Sequence, residues 1–258
     1  MLRKLMKYEF MATGRIFLPL FAALIVISTI NGLLTNLPFQ APQIIVGVVS
    51  VVLMVGIMVL SFVITLQRFR SNLLSSEGYL MMTLPVKTDS LILSKLFTAA
   101  IWSVASLIVV AISIMIMMMS SVNLSDLISS LRNAFEGANL LLFAVYSVEA
   151  IVIVSLSLFA WILMLYTCMS LSMLVNKRRG LLTFGAYIVI SIVLQIIFAV
   201  VVAVLIALDA KDLLSFIMFP NSFGIHIILL IIITAGLALC SAFYFITRYM
   251  LKRKLNLQ

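Results

Sequence analysis

The chain has 258 residues, of which 65% are hydrophobic and 10% charged, with a formal net charge of +9 and a mean hydropathy of +1.31. Soluble domains are about half apolar and about a quarter charged, so this composition excludes a soluble globular domain, and with it a built-in ATPase, kinase or protease domain. It points to an all-α integral membrane protein.

The start, "MLRKLMKYEFMATGR" over 1–15, places Leu2, Leu5, Met6 and Phe10 on one helical face and Arg3, Lys4 and Lys7 on the other. That pattern predicts an amphipathic helix lying in the cytosolic interface of a bilayer, with an ordinary basic flank as the simpler alternative. Six apolar runs follow, each long enough for a hydrocarbon core of about 30 Å: Ile16–Leu34, Ile44–Leu66, Leu96–Met119, Phe143–Val175, Leu181–Leu208 and Ile225–Ile246. The first reads as a retained helix, because no small-residue cleavage site follows it.

Lysine and arginine set the orientation. If both termini are cytosolic, so are Arg3, Lys4, Lys7, Arg15, Arg68, Arg70, Lys87, Lys95, Lys177, Arg178, Arg179, Arg248, Lys252, Arg253 and Lys254. Of the 17 basic residues only Arg132 and Lys211 then lie outside, as the positive-inside rule expects. The expectation is six transmembrane helices, N-in/C-in, in a single transmembrane domain over 1–258. The positive charge has its origin in this bias, and no nucleic acid is expected as a partner.

The cytosolic loop at 67–95 contains "SSEGYLMMTLPVK" over 75–87. Ser75 or Ser76 can start a short helix with Glu77 in its first turn, and Pro85 ends it; Thr88 or Asp89 can cap the next span. Gly78 permits close approach of another backbone, and Met81 and Met82 form a surface that can repack. The segment therefore reads either as a helix resting on lipid or as a knob offered to a cytosolic protein. Outer loops at 120–142 and 209–224 are each expected to carry a short interfacial helix: Leu124, Leu127, Ile128, Leu131 and Phe135 recur at helical spacing in the first, and Leu213–Phe219 is an apolar stretch in the second. They either gate an exit path or shield helix ends.

Little in the chain points to catalysis. Cys168 and Cys240 fall inside apolar segments, and no HExxH, GxSxG, CxxC or paired acidic magnesium motif occurs. His226, the single histidine, reads as an interfacial polar residue at the outer end of the sixth span. Of the eight carboxylates only Glu149 is placed where a span can hold it. Glu149, Asn31 and Gln195 are candidates for a substrate path, or else they bond neighbouring helices. Gly236–Cys240 and Ala238–Ala242 are small-residue pairs at helical spacing on the sixth span.

"EGYLMMTLPV" followed by "SLILSKL", together with the opening "LMKYEFMATGRIFLPLF", resembles the permease subunits of bacterial ABC exporters of the type-2 group. The likeness covers the N-terminal helix, the first three spans and the loop between the second and third. It implies a dimer with a second permease subunit, identical or different, in the bacterial plasma membrane. It also implies a separate cytosolic ABC ATPase, where ATP and magnesium are bound, so that this chain binds no cofactor and catalyses nothing. Carried over by position, the ATPase contact comprises Glu77, Gly78, Tyr79, Leu80, Met81, Met82, Thr83, Leu84 and Pro85. The implied cargo is an antimicrobial peptide, a drug or a lipid-like amphiphile. An ATP-independent carrier and a non-transporting scaffold are the competing readings.

Overall fold

A computed structural model describes residues 2–35, 40–74, 88–119, 129, 132–133, 140–174, 179–207 and 222–254. Their regular structure is helical: α1 (Leu2–Leu34), α2 (Gln40–Leu74), α3 (Thr88–Met119), α4 (Leu140–Ser172), α5 (Arg179–Ala207) and α6 (Ser222–Tyr249), the last continued by a π-helical turn at Met250–Lys254. Each of the six is long and apolar enough to cross a bilayer.

Four of the helices, α1, α2, α3 and α6, outrun the apolar runs that predict them, whereas α4, with 33 residues, is as long as its run but begins and ends three residues earlier. α1 has 33 residues, about 50 Å at 1.5 Å per residue, against a hydrocarbon core of about 30 Å. The amphipathic start is therefore the first part of the same helix as the first span. Its two faces are as the pattern predicts: Leu5, Met6 and Phe10 are partly buried, and Arg3, Lys4 and Lys7 are exposed. α2 likewise continues past Arg68 and Arg70 to Leu74, and α3 starts at Thr88, eight residues before the apolar run, with Asp89 in its first turn. Backbone hydrogen bonding within a helix continues wherever a neighbour covers one face, so polar helix ends persist beyond the apolar stretch.

The chain divides into two compact units. The first holds α1, α2 as far as Ser71, and α3. Its core is Phe17, Phe21 and Leu24 of α1 with Ile57 and Ile64 of α2, against which Trp102, Ala105, Val109 and Val110 of α3 pack. Successive contacts show the directions. Glu9 meets Lys95 and Phe17 meets Trp102, so α1 and α3 run parallel. Glu9 meets Arg68 while Asn31 faces Gly47, so α2 runs antiparallel to α1.

The second unit holds α4, α5, α6 and the π-helical turn. α4 and α6 are parallel: Glu149 meets His226, Leu156 meets Gly236 and Cys240, and Thr167 meets Thr247. α5 returns antiparallel to α4, tied by Thr183 Oγ1 donating to Ser172 Oγ at 2.9 Å. No described residue of the α5 span from Gly180 to Val204 is buried. An apolar helix exposed on this scale is stable in hydrocarbon and not in water.

Candidate functional site

In the first unit three charged side chains from three helices converge. Glu9 of α1 is buried, at 8% exposure, and Lys95 of α3 is buried at 4%. The Lys95 ammonium donates to Glu9 Oε1, and Arg68 Nη1 of α2 donates to Glu9 Oε2 at 3.1 Å. Each carboxylate oxygen thus meets a cation from a different helix, and one acidic residue ties all three helices together. Charge-assisted bonds of this kind are about twice as strong as neutral ones. A buried cluster with one partner removed leaves an uncompensated charge, so its geometry is held firmly. The arrangement joins helices.

A second contact continues the α1–α3 seam. Phe10, Gly14, Phe17, Phe21 and Leu24 recur at three- and four-residue spacing along α1, which aligns them on one face. Trp102 lies on that face, stacked on Phe17 with ring centroids 4.8 Å apart and an interplanar angle of 12°. Phe10 and Phe21 flank it with centroids at 5.8 and 6.0 Å. Gly14 sits beneath the indole: a Cβ there would lie 3.4 Å from Cζ2 and 3.6 Å from Cη2. The absent side chain lets the indole rest against the α1 backbone.

In the second unit Glu149 of α4 and His226 of α6 form a pair. Nδ1 of His226 is 3.0 Å from both carboxylate oxygens, and the side chains are 22% and 16% exposed respectively for the histidine and the acid. Tyr146, one turn before Glu149, stacks on the imidazole with centroids 4.5 Å apart and planes within 11°. Further along, Gly236 lets α6 approach the Leu156 side chain, and the Cys240 thiol points at the Leu156 carbonyl at 3.5 Å. Thr167 Oγ1 then lies 3.0 Å from Thr247 Oγ1 and 3.2 Å from the Phe243 carbonyl. Glu149 and Thr167 stand roughly 27 Å apart along α4 at 1.5 Å per residue, close to the thickness of a hydrocarbon core. Polar contacts therefore pin α4 to α6 at the two ends of an apolar stretch.

The three residues assigned to a substrate path have different settings. Asn31 is buried in the first unit, where Gly47 makes room: a Cβ at Gly47 would lie 3.3 Å from the Asn31 amide nitrogen. Glu149 is committed to His226, and Gln195 is exposed on α5. The ATPase-contact residues, Glu77 to Pro85, lie outside the described residues, as do nearly all of the two outer loops. Residues 120–142 and 209–224 contribute only isolated helical positions and helix ends to the description.

Sequence reasoning counted Arg68 and Lys95 among the cytosolic basic residues and gave Glu9 no role. One signal was present. Glu9 is the sole acid in a basic stretch, and it shares a face with Thr13 and Phe17 at four-residue spacing. Thr13 is itself buried, donating to the Glu9 carbonyl at 2.7 Å.

The chain defined by this fold is a multi-pass membrane protein with six apolar helices. No protein-family model, no curated protein and no solved structure matches it.

Proposed function

We propose that the chain is the membrane-spanning subunit of an ATP-driven exporter of the type-2 ABC group, N-in/C-in in a bacterial plasma membrane, acting as a dimer with a second permease subunit. The observation that carries this reading is the segment "EGYLMMTLP" at 77–85. It stands between two helices, α2 and α3, that are both tied to α1 through Glu9. A cytosolic ATPase that pushes on Glu77, Gly78, Tyr79, Leu80, Met81, Met82, Thr83, Leu84 and Pro85 acts on the segment that joins these two helices in the chain. ATP and magnesium belong to that partner; this chain supplies the path and the lever. The broad apolar surface suits an amphiphilic cargo, a peptide, drug or lipid-like molecule, that enters from the bilayer.

The test is mild extraction from native membranes, identification of copurifying proteins and assay of ATP turnover. A near-stoichiometric ABC ATPase supports the exporter; a well-folded chain with no ATPase sinks it. A second reading, an ion-coupled carrier, has one observation in its favour, the ionisable Glu149–His226 pair in the second unit. Flux through the purified chain alone in vesicles under an ion gradient would favour it.

A further inference from the structure

We infer that the first unit binds a water molecule in its interior, bridging the hydroxyls of Ser28 on α1 and Ser113 on α3. The inference does not depend on the exporter reading.

Helix register brings the two serines together. Ser28 lies eleven residues, about three turns, beyond Phe17, and Ser113 lies eleven residues beyond Trp102. α1 and α3 run parallel with Phe17 stacked on Trp102, so the serines stand at one level of the seam. Ser50 of α2 joins that level. It is three residues after Gly47, as Ser28 is three residues before Asn31, and Gly47 faces Asn31. Ser28, Ser50 and Ser113 are each 0% exposed.

The same register puts Leu24, Met54 and Val109 in the neighbouring layer, one turn nearer Phe17, where they pack in the core. Three bulky side chains there hold the helices apart. One turn on, three small side chains span the same spacing, and this leaves room for a small polar guest.

The hydroxyls themselves call for one. Thr13, Thr29, Ser50, Thr65, Thr98 and Ser106, on the same three helices, each donate to the carbonyl four residues back. Ser28 and Ser113 do not. Both Oγ atoms are buried with no hydrogen-bond partner among the described residues, each other included. Burying an unpaired hydroxyl is costly, and an internal water is stable where it finds two to four polar partners. The third such atom, Trp102 Nε1, sits among the rings of Phe10, Phe17 and Phe21, which give a water no comparable second bond. A metal ion fits the serine layer less well. The described carboxylates of this unit, Glu9 and Asp89, lie near the far ends of their helices, and hard cations require more oxygen ligands than two hydroxyls.

The experiment uses the full chain in lipid nanodiscs. A brief X-ray pulse turns bound water into hydroxyl radical, which oxidises side chains beside it, and mass spectrometry locates the product. Leu24, fully buried one turn from Ser28, is the reporter. Leu24 is expected to be oxidised in the parent and to lose most of that label in the double variant Ser28→Ala, Ser113→Ala. The second readout is the melting temperature of the parent, both single variants and the double. If one water bridges the pair, either single change strands the remaining hydroxyl, and the two shifts are not additive. An unlabelled Leu24 in the parent overturns the inference, even if the two serines prove coupled, since they would then bond directly. A label that persists in the double variant overturns it too, because the water would lie elsewhere. Single variants that both melt higher, with additive shifts, mean two unhydrated hydroxyls and likewise overturn it.

Discussion

His226 Nδ1 stands 3.0 Å from each carboxylate oxygen of Glu149, joining α6 to α4. Replacing either residue by alanine strips a partly buried polar group of its partner. Each single change is expected to lower stability by about 1–3 kcal/mol. The double change should cost less than the sum, with a coupling of roughly 0.5–3 kcal/mol. Unfolding in detergent followed by tryptophan fluorescence measures both; strict additivity would mean that the pair makes no energetic contact.

Lys95→Met leaves Glu9 buried without the ammonium that meets Oε1. The expected cost is about 3–5 kcal/mol, the range for breaking a buried ion pair from one side. Combining it with Glu9→Leu removes the stranded charge, and Arg68 can turn to water. The double variant should therefore unfold at a higher denaturant concentration than Lys95→Met alone.

Gly14 separates two outcomes by size. An alanine Cβ would meet Trp102 at 3.4 Å, an ordinary contact, and alanine favours helix over glycine by about 0.5–1 kcal/mol. Gly14→Ala should thus be neutral or mildly stabilising. Gly14→Val adds carbons where the indole lies and should cost about 1–3 kcal/mol. The tryptophan emission maximum should shift with the valine and stay put with the alanine.

Thr167→Val deletes the hydroxyl that meets Thr247 Oγ1 and the Phe243 carbonyl. Interhelical hydrogen bonds in membranes average about 0.6 kcal/mol, so a loss of that order is expected, in the same unfolding assay.

Glu77→Lys addresses the proposed ATPase contact. The chain should insert and fold normally, while ATP-dependent transport is lost and less ATPase copurifies. Unaltered copurification and turnover in that variant would remove Glu77 from the contact.

The six helices were legible because each apolar run alone is long enough to cross a bilayer. The Gly236–Cys240 pair was legible too, since four-residue spacing puts two small residues on one face; the structure seats that face on Leu156 within the same chain. The lengths of the helix ends were not legible. Those ends are polar, and only the neighbour that covers Glu9 and Lys95 explains why they stay helical. The Glu9 cluster was hidden for a related reason. Its partners lie 59 and 86 residues away, and each alone looks like a charge flanking an anchor. The Glu149–His226 pair spans 77 residues; a lone histidine in sequence carries no mark of which acid it will meet.

The parallel pairing of α1 with α3 also sets an order of events during synthesis. Glu9 leaves the ribosome 86 residues ahead of Lys95. At about 5–20 residues per second, the acid waits on the order of ten seconds for its ammonium. Arg68 is made between the two, so of the cations seen on Glu9 in the fold it is available before Lys95. Until α3 arrives, the face that will hold Trp102 lies bare, open to whatever insertion factor attends the nascent chain.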